Sequence, residues 1–157
     1  MNIRYIAILP LLISAADAFS DDAVPVQYQG NCQQENVIQN LAVKCQSNTL
    51  QITVRTNPTT GFDWHYKNYS QELLKPADPQ YRSVYDDPEL VGAPSIGTYT
   101  SEVLKSGLVS FDFCYMQNWT GGDFARGYRF ELTADESRNI TGYRITVLNQ
   151  SDIKPGE

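Results

Sequence analysis

The sequence predicts an all-β fold, an immunoglobulin-like β-sandwich with its functional loops gathered at one end. Three observations carry this expectation. Apolar and polar residues alternate in short segments, as in Leu50-Gln51-Ile52-Thr53-Val54 and Val109-Ser110-Phe111-Asp112-Phe113. Gly, Pro, Asn and Asp punctuate those segments at a spacing that suits strands and turns. No stretch sustains a helical period, and no dinucleotide fingerprint, phosphate-binding loop or internal repeat is present.

Residues 1–18 carry Arg4 near the start, an apolar run from Ile6 to Ile13 and small residues ending Ala16-Asp17-Ala18, the pattern of a secretory signal. Residues 1–18 are expected to be removed, leaving residues 19–157 as a single domain, secreted or periplasmic. No later run is apolar for long enough to span a bilayer. The formal charge is −6 without a compensating Lys/Arg cluster, so nucleic acid is excluded as a partner.

Strands are expected near residues 24–29, 37–45, 49–56, 63–67, 80–85, 98–105, 108–116, 127–133 and 142–148. Leu50, Ile52 and Val54 should face inward, as should Val109, Phe111, Phe113 and Tyr115, and later Tyr128, Phe130 and Leu132. Ser70 to Lys75 reads as one helical turn stopped by Pro76, and Asp86 to Gly97 as a long loop, with two prolines and two glycines from Pro88 on. In an exported chain Cys32 and Cys45 are the natural disulfide pair, closing a short loop for about 2 to 3 kcal/mol. Cys114 is left as a packed thiol inside a strand.

Enzyme chemistry has little to work with. His65 is the one histidine, and a Cys114–His65 dyad has no third group to orient it. No Cys, His or carboxylate spacing suggests a metal, and no cofactor is expected.

The segment Asn57-Pro58-Thr59-Thr60-Gly61-Phe62, directly after the strand ending near Arg55, is a turn built for presentation. Pro58 fixes its φ, Asn57 can fold its side chain onto backbone amides two residues on, and Gly61 allows a positive φ or a close approach of another backbone. Thr59 and Thr60 are β-branched, so burial by a partner freezes few rotamers.

This segment, with Trp64 at matching distance, resembles the first loop of the chagasin-like inhibitors of papain-type cysteine proteases. Tyr115-Met116-Gln117-Asn118-Trp119-Thr120-Gly121 resembles that family's third loop, with Gln117-Asn118 where the family has Arg-Pro. Between them, Leu90-Val91-Gly92-Ala93-Pro94-Ser95 stands where the family has an apolar pair and Gly-x-Gly-Gly, only the first Gly being kept. The resemblance spans roughly residues 37 to 133. It implies that the three loops form a wedge, Asn57 to Phe62, Gly92 to Ser95 and Gln117 to Trp119, that occludes a papain-family protease cleft, with the protein acting as a monomer. Thr59-Thr60-Gly61 would lie over the catalytic Cys-His pair, and Trp119 would pack beside the catalytic His, whereas Trp64 is expected in the core.

Four sequons for N-glycosylation begin at Asn68, Asn118, Asn139 and Asn149; a glycan on Asn118 would obstruct the wedge. The tail reads in two ways. Tyr128 to Leu132 closes the sandwich and Tyr143 to Leu148 adds a strand, or the later segment closes it and residues 120–141 enlarge the third loop. The rival reading of the whole chain is a non-inhibitory Ig-like binding or adhesion module, to which its ten tyrosines would also suit.

Overall fold

Alternating segments of this kind can bury one face each only by stacking two sheets, and that is what the computed structural model contains, with residues 25–87 and 92–153 described. The expected signal segment and the pair Leu90-Val91 lie outside the described residues. Eleven strands occur among the described residues: β1 Gln27–Gly30, β2 Asn36–Ile38, β3 Leu41–Gln46, β4 Thr49–Thr56, β5 Phe62–Lys67, β6 Leu74–Pro76, β7 Gln80–Ser83, β8 Ser95–Val103, β9 Gly107–Gln117, β10 Phe124–Ala134 and β11 Ile140–Leu148. One antiparallel sheet runs β1-β11-β10-β9-β5. The other runs β2-β3-β4-β8, and the far edge of β8 is shared by β6 and β7 in succession.

The inward rows are the expected ones. Leu50, Ile52, Val54, Val109, Phe111, Phe113, Tyr128, Phe130 and Leu132 are buried, and Tyr115 packs against them from a half-buried position. Phe111 stacks on Phe130 at 4.9 Å between ring centroids, and Trp64 on Phe113, also at 4.9 Å. Each such side chain contributes about 1.5 to 3 kcal/mol by leaving water. Trp64 is therefore core, and its indole Nε1 donates to the Arg55 carbonyl at 3.1 Å.

Three expectations are corrected. Residues 37–45 form two strands, because Ile38 pairs with Leu41 and leaves Gln39-Asn40 as a two-residue hairpin turn. Gln39 takes a φ of +52°, and its amide is held by a bond donated from the Tyr128 hydroxyl at 2.6 Å. That contact comes from 89 residues away and leaves no local turn signal. The turn at Ser70 does form, its carbonyl accepting from Leu73 and Leu74 N–H at 3.0 Å each, but the chain then extends as β6 instead of stopping. Pro76 is tolerated there because β6 is an edge strand that needs no donor from it. Finally β8 starts at Ser95, three residues earlier than expected, since Thr56 and Ser83 pair with it on either side.

The tail is resolved by register. β10 pairs with β9 from Phe124 to Ala134 and β11 lies outside it, so β11 is the added strand and residues 120–141 are not a loop. β1 joins β11, after which the chain crosses to β2 in the other sheet. The expected Cys32–Cys45 disulfide pins this crossing, at a Cα separation of 5.0 Å.

Candidate functional site

β4 and β8 to β10 place the three singled-out segments at one end of the sandwich. Thr56 ends β4, Phe62 opens β5, Ser95 opens β8 and Gln117 ends β9, so the connections meet above the same rim.

The first loop is closed at its base by an Asn57–Phe62 bridge and turns through a single 3-10 turn at Pro58–Thr60, with the fixed φ of Pro58 at its start. Thr60 N–H donates to the Asn57 carbonyl at 3.1 Å and Gly61 N–H to the Pro58 carbonyl at 3.0 Å. The Thr60 hydroxyl donates to the Asn57 carbonyl at 2.7 Å. Asn57 does not cap backbone amides as expected; its Oδ1 accepts from the Thr59 hydroxyl at 2.7 Å, and its Nδ2 reaches the second loop. Both threonines are thereby tied to Asn57, and the turn is stiff.

Contacts between loops join them into one body. Asn57 Nδ2 donates to the Gly92 carbonyl at 3.3 Å, and Gln117 Nε2 to the Thr60 carbonyl at 3.5 Å. Gly61 has a φ of +80°, and a Cβ there would stand 2.2 Å from the Trp119 ring, so the indole rests directly on its α-carbon. The close approach expected at Gly61 is thus made by a side chain rather than a backbone. Trp119 is 56% exposed, so it is no core residue. Gly92 is also left-handed, with a φ of +84°, while Ala93, Pro94 and Ser95 are half-buried at the start of β8. Asn118 is exposed, and its Oδ1 accepts from Lys67 Nζ.

Beneath the first loop lies a device that sequence reading missed. The Asp63 carboxylate accepts from the Thr56 hydroxyl at 2.7 Å, from Trp64 N–H at 2.8 Å, and from the hydroxyls of Tyr81 and Tyr99. Thr56 and Asp63 flank the loop, and the tyrosines come from β7 and β8 in the other sheet, so one carboxylate fastens both ends of the loop to both sheets. Burial, and after it the Asp63 carboxylate, pushes the Tyr81 phenol up to about 12 and raises Tyr99 as well. The only local sign was a threonine and an aspartate bracketing the motif.

His65 and Cys114 are direct cross-strand partners. Burial lowers the His65 pKa, and burial together with Asp112 pushes the Cys114 thiol up to about 12. Both shifts run against a thiolate–imidazolium pair, so Cys114 is a packed thiol. Among the described residues no helix is long and apolar enough to cross a membrane.

A family model described as Chagasin family peptidase inhibitor I42 matches residues 45–134, more than half of the chain. The matched span holds all three loops and ends with β10, leaving β1, β2 and β11 outside it. No curated protein matches the chain. Among solved structures, the crystal structure of the cysteine protease inhibitor EhICP2 from Entamoeba histolytica is similar at 21% identity and a TM-score of 0.40, covering 64% of this chain and 78% of that one.

Proposed function

Since the chain belongs to the chagasin family of peptidase inhibitors, we propose that it blocks papain-type cysteine proteases by seating the wedge of Asn57–Phe62, Gly92–Ser95 and Gln117–Trp119 in the active-site cleft. The family is one of inhibitors and not of enzymes, and an inhibitor of cysteine proteases is what fold and family together support.

One observation carries the proposal: Trp119 rests on Gly61 while Gln117 and Gly92 bond to the first loop, so the three loops are assembled before any partner arrives. A preassembled wedge binds with a smaller ordering cost. The tip, Thr59-Thr60-Gly61, would cover the catalytic pair without presenting a scissile carbonyl in attack geometry, since the backbone is held in a 3-10 turn and the Thr60 carbonyl already accepts from Gln117. Trp119, with its outer face bare, would supply the large aromatic contact. Gln117 is occupied with Thr60 and supplies no charge. Export through residues 1–18 to the periplasm or the extracellular space would bring the inhibitor to such proteases, and it would act as a monomer.

The test is a titration of residues 19–157 against papain and a cathepsin L-type protease, beside a Thr60→Arg variant. Stoichiometric inhibition that the variant loses is the expected result. Absence of inhibition by the unsubstituted protein would sink the proposal and favour a binding module without inhibitory action.

A further inference from the structure

Next to the wedge, a cleft of about 550 Å³ opens with β4 of one sheet on one side and β5, β9 and β10 of the other sheet contributing to the rest of its lining. Asn57 and Pro94 of the first two loops form part of its wall, so it is continuous with the wedge. Arg55 and Arg126 also line it, and no carboxylate does. Both arginines are exposed, and neither takes part in any of the ion pairs among the described residues, where Lys105, Arg129 and Arg144 hold the acids Glu72, Asp112 and Glu131.

Two unpaired guanidinium groups in one cleft are unexpected in a chain of net charge −6. Arg126 is exposed but reaches the Tyr128 hydroxyl, a neutral hydrogen-bond partner whose pKa burial raises and the guanidinium lowers. That hydroxyl already donates to Gln39 and gives the guanidinium no anion. Arg55 is anchored through its carbonyl, which accepts from the core indole of Trp64, while its side chain makes no bond among the described residues. A planar fork of donors with no acid nearby suits an incoming carboxylate, which it can hold bidentately.

We infer that this cleft is a second contact of the inhibitor, in which Arg55 and Arg126 receive carboxylate side chains from the rim of the protease beside its active site. The inference rests on the wedge reading and adds the chemistry of the partner: the preferred protease carries an acidic segment on the side of its cleft that the Asn57–Pro94 flank faces. Charge here acts on encounter and on partner choice more than on residence time, since exposed pairs are worth little once formed. The local positive site also counters the repulsion that a chain of −6 would otherwise exert on an acidic rim.

The experiment measures association of the protein with immobilised papain and a cathepsin L-type protease from about 25 to about 300 mM salt. For a protease with an acidic rim, the double variant Arg55→Gln/Arg126→Gln should associate about tenfold more slowly at low salt and with a flatter salt dependence, dissociation changing less. Lys105→Gln, at the opposite end and paired with Glu72, should match the unsubstituted protein. Equal rates and slopes for the double variant and the unsubstituted protein overturn the inference. In a second arm, triglutamate peptide is titrated while the arginine Nε–H resonances are followed. Shifts confined to Arg55 and Arg126 support the cleft as a carboxylate site, and no shift overturns it. Failure of the unsubstituted protein to bind either protease overturns the inhibitor reading and the occupant named here, leaving the peptide arm to decide the chemistry of the cleft.

Discussion

The indole of Trp119 lies on the α-carbon of Gly61, closing the third loop over the first. Glycine is required there twice, once by its φ of +80° and once by the absence of any room for a Cβ. Gly61→Ala should therefore cost about 1 kcal/mol of stability from backbone strain. It should cost far more in inhibition, because the displaced indole opens the wedge. An inhibition constant raised about 100-fold or more, with a urea midpoint only slightly lowered, is the expected pattern. Equal inhibition by Gly61→Ala would show that the contact is dispensable.

Trp119→Ala separates the indole from the backbone. Trp119 is mostly exposed, so its removal should leave thermal unfolding nearly unchanged while weakening inhibition by about 30-fold, in the range of an interface anchor. Its fluorescence should respond to protease addition, whereas the buried Trp64 should not.

Asp63 fastens Thr56, Tyr81 and Tyr99 at the base of the first loop. Asp63→Ala strands the buried hydroxyls of Thr56 and Tyr99 and should lower stability by about 2 to 3 kcal/mol in urea unfolding. With the base loosened, the loop should reach attack geometry, and prolonged incubation with papain should cut the variant near Thr60 while the unsubstituted protein stays whole. An intact Asp63→Ala chain after such incubation would confine Asp63 to a stabilising role.

Stability should fall on the alkaline side. Burial holds the Cys114 thiol and the Tyr66 and Tyr81 phenols up at about 12, and raises Tyr99 in the same direction. The unfolded chain releases these protons first, near the ordinary thiol and phenol values of about 8.5 to 10. Above that range the folded state binds more protons than the unfolded one, so unfolding becomes easier as pH rises towards 12. Urea midpoints should decline above about pH 8. In the same samples a thiol reagent should label Cys114 only once the protein unfolds.

The Cys32–Cys45 bridge lies at the end of the sandwich away from the wedge, where β3 turns into β4. Replacing both cysteines with serine should cost about 2 to 3 kcal/mol of stability while leaving inhibition by the folded fraction unchanged. A parallel loss of inhibition at full folding would mean that the bridge tensions the loops from across the core.

Alternation and turn chemistry are properties of a few neighbouring residues. For that reason the inward rows at Leu50, Phe111 and Phe130, the disulfide and the bend at Pro58-Thr59-Thr60-Gly61 were legible in the chain itself. Element ends were less so: the Gln39 turn is held by Tyr128, and β6 exists because β8 offers it a free edge, neither of which a local pattern records. At the site, the sequence motif marks the first loop completely, yet nothing in it foretells that Thr56, Asp63, Tyr81 and Tyr99 meet, or that Arg55 and Arg126 share a cleft. Those meetings depend on sheet order and strand register. A shift of one residue in either would reverse the faces, so they become defined only when the two sheets close on their common core.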